Sequence, residues 1–110
     1  MKKTIKNLIK IAEQNDWKVY VDGNDYDFSK YSDYGQDFHV ILTAESADEL
    51  VARLDRFVQN FDISEEAYLW LDSSGHGRNG APYEMVDVYK DMEDCLEMTE
   101  ELLHHWEYLN

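Results

Sequence analysis

The apolar residues of this chain repeat with a helical period, then a strand period, then a helical period again, and that switch constrains the fold more than any single motif. Ile5, Leu8, Ile9 and Ala12 fall at i, i+3, i+4 and i+7, so residues 4–14 are predicted as an amphipathic helix with lysines on its outer face. Asn15-Asp16 ends it. "WKVYV" then alternates, with Trp17, Val19 and Val21 on one face, and Asp22-Gly23-Asn24 supplies turn chemistry. "YDFSKYS" reads as a more polar second strand, at an edge or with one face wet. Tyr34-Gly35 turns the chain into "QDFHVILT", a third strand that points Phe38, Val40 and Leu42 one way. Three strands in hairpin connection predict an antiparallel sheet.

The helical period returns at Ser46. Ser46 and Glu49 have the spacing of a capping box, and Leu50, Leu54, Phe57, Val58 and Phe61 form the stripe behind it. Ser64 is expected to cap a short helix, "EEAYLWL". Pro82 suits a first helical turn, and a last helix is predicted from about residue 82 to 108. The order α-β-β-β-α-α-α describes one α+β domain over residues 1–110, with helices packed on one face of a small three-stranded sheet. No repeat or linker divides it.

Charge limits the partners. The chain holds 24 acids and 10 bases, a net −14, and residues 62–110 carry 13 of the acids but only Arg78 and Lys90 as bases. A field of that sign repels nucleic-acid phosphates and anionic headgroups and attracts basic proteins. Direct nucleic-acid and membrane binding are therefore not expected. Lysines interrupt the first apolar residues, so no signal-peptide core is read there, and no segment is long enough to cross a bilayer. The lone Cys95 fits a reducing compartment. The expected location is cytoplasmic.

Several motifs invite chemistry and lose it on inspection. "GHGRNG", Gly75 to Gly80, spells G-x-G-x-x-G, but a dinucleotide site needs a strand before it and a βαβ unit around it. Here a helical segment precedes. Gly75 is read as a helix stop and the remaining glycines as a tight reversal. His76 and Arg78 either neutralise neighbouring carboxylates or offer the one cationic contact on an anionic face. No C-x2-C or H-x3-H spacing exists for zinc, and adjacent His104 and His105 diverge on a helix. "DGNDYDFSKYSD" echoes a calcium loop but has Asp27 where glycine is needed, so hairpin and strand is the better reading. Cys95 falls on the apolar side of its helix, among carboxylates that disfavour a thiolate. No catalytic residue, metal ligand or cofactor is assigned.

The last helix carries the functional expectation. Projected on a helix, Met85, Val88, Tyr89, Met92, Cys95, Leu96, Leu102, Leu103 and Trp106 share one half, while Glu84, Asp87, Asp91, Glu93, Asp94, Glu97, Glu100 and Glu101 take the other with only Lys90. Solvated faces gain from mixed signs, and this one does not mix. Nine acids between Glu84 and Glu107 span about 36 Å of helix, about one charge per 4 Å, near the 3.4 Å axial spacing of phosphates on one DNA strand. A solubilising face and a binding face both fit.

The segments "YSDYGQDFHV" and "WLDSSGHGRNGAPYEMVDVYKDME" resemble those of small acidic, uncharacterised proteins of bacterial mobile elements: plasmids, integrative elements and prophages of gut bacteria. The resemblance covers most of the chain from Tyr31 onward and implies no activity. In element order and charge the chain is also similar to small anti-CRISPR inhibitors, in which acids occupy the DNA-reading groove of Cas9, and to acidic antirestriction proteins that mimic DNA. The expectation is a non-enzymatic interaction protein of the DNA-mimic type, docking on a basic, nucleic-acid-binding protein through Glu84, Asp87, Asp91, Asp94, Glu97 and Glu101. Tyr31, Tyr34 and Tyr83 are candidate aromatic anchors. The alternatives are a carboxylate- or metal-dependent hydrolase and a structural or self-associating domain.

Overall fold

Local chemistry starts and stops each element where the apolar period changes. In the computed structural model, residues 1–74 and 85–109 are described. Helix α1 spans Ile5–Gln14, with Thr4 Oγ1 accepting from the Asn7 amide. It ends with Trp17 N–H bonding to Ala12 O and Asp16 N–H to Glu13 O, while Asp16 takes the left-handed φ of 71° that this closure requires. Strands β1 (Lys18–Asp22), β2 (Asp25–Tyr31) and β3 (Asp37–Thr43) follow as an antiparallel meander. Gly23 supplies φ 61° in the first hairpin, as the first central residue of a two-residue loop.

The expected α+β order is the observed one, and helices pack on one face of the sheet. Of the two alternatives for the second strand, the wet face is the one observed: β2 is central in the sheet, its outer face carries Asp27 and Ser29, and Tyr26 and Phe28 point into the core. One helix cap is corrected. Helix α3 spans Ile63–Ser74, and Asp62, not Ser64, caps it by accepting from the Glu65 amide at 3.2 Å. Ser64 lies inside the helix and its Oγ accepts from Tyr89 Oη at 2.8 Å.

Helix α2 (Ala47–Asn60) is capped by Ser46, which accepts from the Glu49 amide. The Glu49 carboxylate reaches back one residue further than a capping box requires, to the Glu45 amide at 3.1 Å. Leu50 and Leu54 are fully buried, and Phe57 and Phe61 form a triangle with Phe38 of β3, ring centroids 5.8–6.3 Å apart.

Helix α4 (Met85–Glu107) closes the core, packing on α1, α2 and α3. Its buried residues include Val88, Met92, Cys95, Met98, Leu102, Leu103 and Trp106. Trp106 meets Phe28 edge-on at 5.3 Å, and its Nε1–H donates to the Leu8 carbonyl of α1 at 3.0 Å. The indole is therefore both packed and hydrogen-bonded, as a buried tryptophan must be. No helix among the described residues is long and apolar enough to cross a membrane.

Two substitutions separate the roles of that side chain. Trp106→Phe keeps an aromatic ring and loses the donor, with an expected cost of about 1 kcal/mol. Trp106→Ala leaves a cavity at the junction of α1, β2 and α4 and should cost about 3–5 kcal/mol. Urea unfolding of the three proteins checks both, and equal midpoints for wild type and Trp106→Phe would remove the hydrogen bond from the account.

Candidate functional site

The acidic face expected of the last helix divides in two. One part is an exposed stripe of Glu93, Glu97, Glu100, Glu101 and Glu107, all solvent-facing and within about 120° of one another around the helix. It runs about 21 Å along the helix. Beside it lies a groove of about 530 Å³ floored by Val58 of α2 and Leu103, with Glu97, Glu100, Glu101, His104 and Glu107 around it. Among the described residues no lysine or arginine forms an ion pair with an α4 carboxylate. The nearest compensation is His105 Nε2, 3.8 Å from Glu101 Oε1. Among the described residues neither lysine of α1 (Lys6, Lys10) forms an ion pair with the stripe, and Lys3, just before α1, pairs with Asp48 of α2 at 3.9 Å.

The other part points inward, and here the expected set is corrected. Asp91 is fully buried and is no part of an exposed face. Its azimuth explains this, since four residues on lies Cys95 at about 40° and eleven on lies Leu102 at about 20°, both core positions. The hydrogen bond made to Asp91 comes from the Cys95 thiol one turn on, whose Sγ donates to Oδ1 at 4.0 Å. Ser32 of the β2–β3 turn lies on the same carboxyl and favours its charged form, while Ser32 Oγ accepts the amides of Tyr34 and Gln36. Asp94, half-buried, accepts the Asp33 amide of the same turn at 2.7 Å. Asp94 thus holds the hairpin tip on α4, with Asp91 buried beside it. Burial pushes the Asp91 carboxyl above its ordinary range, Ser32 opposes this, and the Asp94 charge adds to it. Oδ2 of Asp91 is left without a hydrogen-bond partner.

The remaining expected residues scatter. Asp87 is half-buried, and Glu97 and Glu101 lie in the stripe. Tyr34 is 38% exposed in the turn held by Asp94. Tyr31 is 62% exposed, but strand alternation puts it on the outer sheet face with Asp27 and Ser29. Tyr83, Glu84, His76, Arg78 and the whole "GHGRNG" stretch lie outside the described residues. Cys95 is buried as expected, and burial together with Asp91 and Asp94 pushes its thiol far up, so it is not a thiolate nucleophile.

One cluster is absent from the expectations. On the outer sheet face His39 Nδ1 lies 2.8 Å from Asp27 Oδ1 and His39 Nε2 lies 3.1 Å from Asp37 Oδ2. The Asp27 bond, opposed by partial burial and helped by Asp37, raises the imidazole above its usual 6.5. When protonated, the ring donates to both carboxylates as a cross-strand tie, and neither nitrogen is free to act as base or ligand. No group of three or more metal-ligating side chains is arranged for an ion among the described residues. Alternation pairs Asp37 with His39 in the sequence, but Asp27 joins them only through the β2–β3 register.

The two shifts have the same sign and different windows. Asp91 binds a proton more tightly folded than unfolded, so stability falls as pH rises through the range above 3.8. Asp91→Asn should flatten that part of the curve. His39 stabilises fully below its unfolded value and loses the contribution as pH rises through its raised folded value, above 6.5. The Tm gap between wild type and His39→Gln should therefore be widest near pH 6 and narrow toward about pH 9. Thermal melts across pH check both. No protein-family model matches this chain, and no curated protein or solved structure was found similar to it.

Proposed function

We propose that this protein is a non-enzymatic, acidic interaction protein whose α4 stripe docks on a basic protein surface. The observation that carries the reading is the run of Glu93, Glu97, Glu100, Glu101 and Glu107, exposed along one helix without a lysine or arginine partner among the described residues. Leaving like charges adjacent costs a few tenths of a kcal/mol per pair, a cost that a cationic partner would relieve. The groove between α2 and α4 adds apolar surface from Val58 and Leu103 beside the charge, which is the mixture a protein interface uses.

A nucleic-acid-binding protein is the natural class of partner, because its phosphate-reading surface is already basic and accepts a row of carboxylates in place of phosphates. Five stripe carboxylates over about 21 Å stand about 5 Å apart. The row is sparser than the nine-acid count suggested, because Asp91 is buried and Asp94 serves the hairpin. The DNA-mimic reading therefore rests on the stripe alone.

Capture from bacterial lysate tests the proposal. The variant Glu97→Gln/Glu100→Gln/Glu101→Gln/Glu107→Gln should bind the captured partner at least about tenfold more weakly, and wild-type binding should weaken steeply between about 50 and 500 mM salt. A control removing equal charge elsewhere, Glu13→Gln/Asp22→Asn/Asp25→Asn/Asp55→Asn, should bind like wild type. Equal loss in both variants would reduce the effect to net charge, and salt-independent affinity would remove the electrostatic basis.

A further inference from the structure

The opposite chemistry gathers at one edge of the sheet. β3 pairs only with β2, so its far side is unpaired. The ladder's bonding pattern identifies which groups are free. Ala44 N–H bonds to Asn24 O at one end and Ser32 N–H to Gln36 O at the other. Bonded pairs in an antiparallel ladder recur every second residue, so Phe38, Val40 and Leu42 spend their amides on β2. Asp37, His39, Ile41 and Thr43 direct theirs away from it.

That edge is bordered by two grooves. One, about 540 Å³, lies between Ile41–Thr43 and helix α2, with Phe57 and Phe61 as apolar walls and Arg53 and Arg56 at the rim. The second, about 260 Å³, continues past residues 36–39 toward α3, and Glu66 borders both. Arg53 and Arg56 stand one turn apart on the same helix face. Neither is in an ion pair among the described residues, although the chain has acids to spare. At the far end Gln36 Oε1 is buried without a donor.

We propose that the free edge of β3 and the Arg53/Arg56 groove form a docking site for an extended peptide segment bearing carboxylate side chains, which adds as a fourth strand. Main-chain bonds to His39, Ile41 and Thr43 supply affinity. The aromatic wall of Phe57 and Phe61 takes an alternate apolar side chain. The two guanidinium groups, planar forks suited to carboxylates, select the acid and fix the strand's direction. Exposed charges beyond a Debye length of about 8 Å are screened at physiological salt, so the acids that bear on the site are those lining it, Glu66 and Asp37, set against Arg53 and Arg56. The site is separate from the α4 stripe and stands or falls without it.

The probe is an acetylated peptide of about eight residues, long enough to follow β3 at about 3.3 Å per residue, alternating threonine and valine with aspartates near one end. One control replaces the aspartates by lysine, and another carries N-methyl groups at alternate residues. Titration followed by amide NMR should move His39, Ile41 and Thr43 more than Phe38, Val40 and Leu42. The N-methylated control should not bind, and the lysine control and Arg53→Gln/Arg56→Gln should each bind at least about tenfold more weakly. Both arginines are exposed, and the peptide controls are read on wild-type protein, so a folding defect does not blur the result. No shift at the three edge amides up to millimolar peptide overturns the proposal, as does equal affinity for the lysine control. The same amides shifting with protein concentration alone would assign the edge to a second copy, which also overturns it.

Discussion

The indole of Trp106 is the contact on which the arrangement depends. A side chain of that size is buried favourably only if its N–H finds an acceptor, and the acceptor is the Leu8 carbonyl in the middle of α1. Its ring edge meets Phe28 on the central strand. One residue thereby joins the first helix, the sheet and the last helix. It also sets the rotation of α4. Val88, Thr99 and Trp106 lie within about 20° of one azimuth and all three are fully buried, so the arc opposite them is committed to solvent. The glutamate stripe is exposed because the tryptophan is not.

Composition overstates the charge available to a partner. Asp91 is buried beside Cys95, Asp94 holds the β2–β3 turn on α4, Asp62 and Glu49 bond to backbone amides at helix starts, and Asp27 and Asp37 hold His39 across the sheet. A short carboxylate near a turn or helix N-terminus is a good acceptor for amides that would otherwise lack one. What remains for recognition is less than the net charge implies and is concentrated on the longer side chains of one helix.

The boundaries of α1, the three strands and α2 were legible because each rests on a local signal: a period, a turn dipeptide or a cap. The acid sorting failed at Asp91 because dividing the helical projection into two halves is too coarse for a residue near their boundary, and its own angle puts it beside Cys95 and Leu102. The cap at Ser64 failed because Asp62, two residues earlier, competes with it and wins by being placed before the first helical residue. The polar outer face of β2 left an edge strand and a central strand with one wet face both open, because polarity of a face says nothing about neighbours within the sheet. The Asp27–His39–Asp37 tie and the β3 groove depend on register and on packing between elements distant in sequence, which no local pattern encodes.

The position of Trp106 has a consequence for biosynthesis. Its partners, Leu8 and Phe28, are made first and must wait for a residue 98 positions after Leu8. Contacts across such spans are costly to close and late to form. While the ribosome is still extending α4, the inner face of the sheet, with Tyr26, Phe28, Val40 and Leu42, has no final cover. The nascent chain is then an open half-core, exposed to chaperones and to aggregation until the tail emerges.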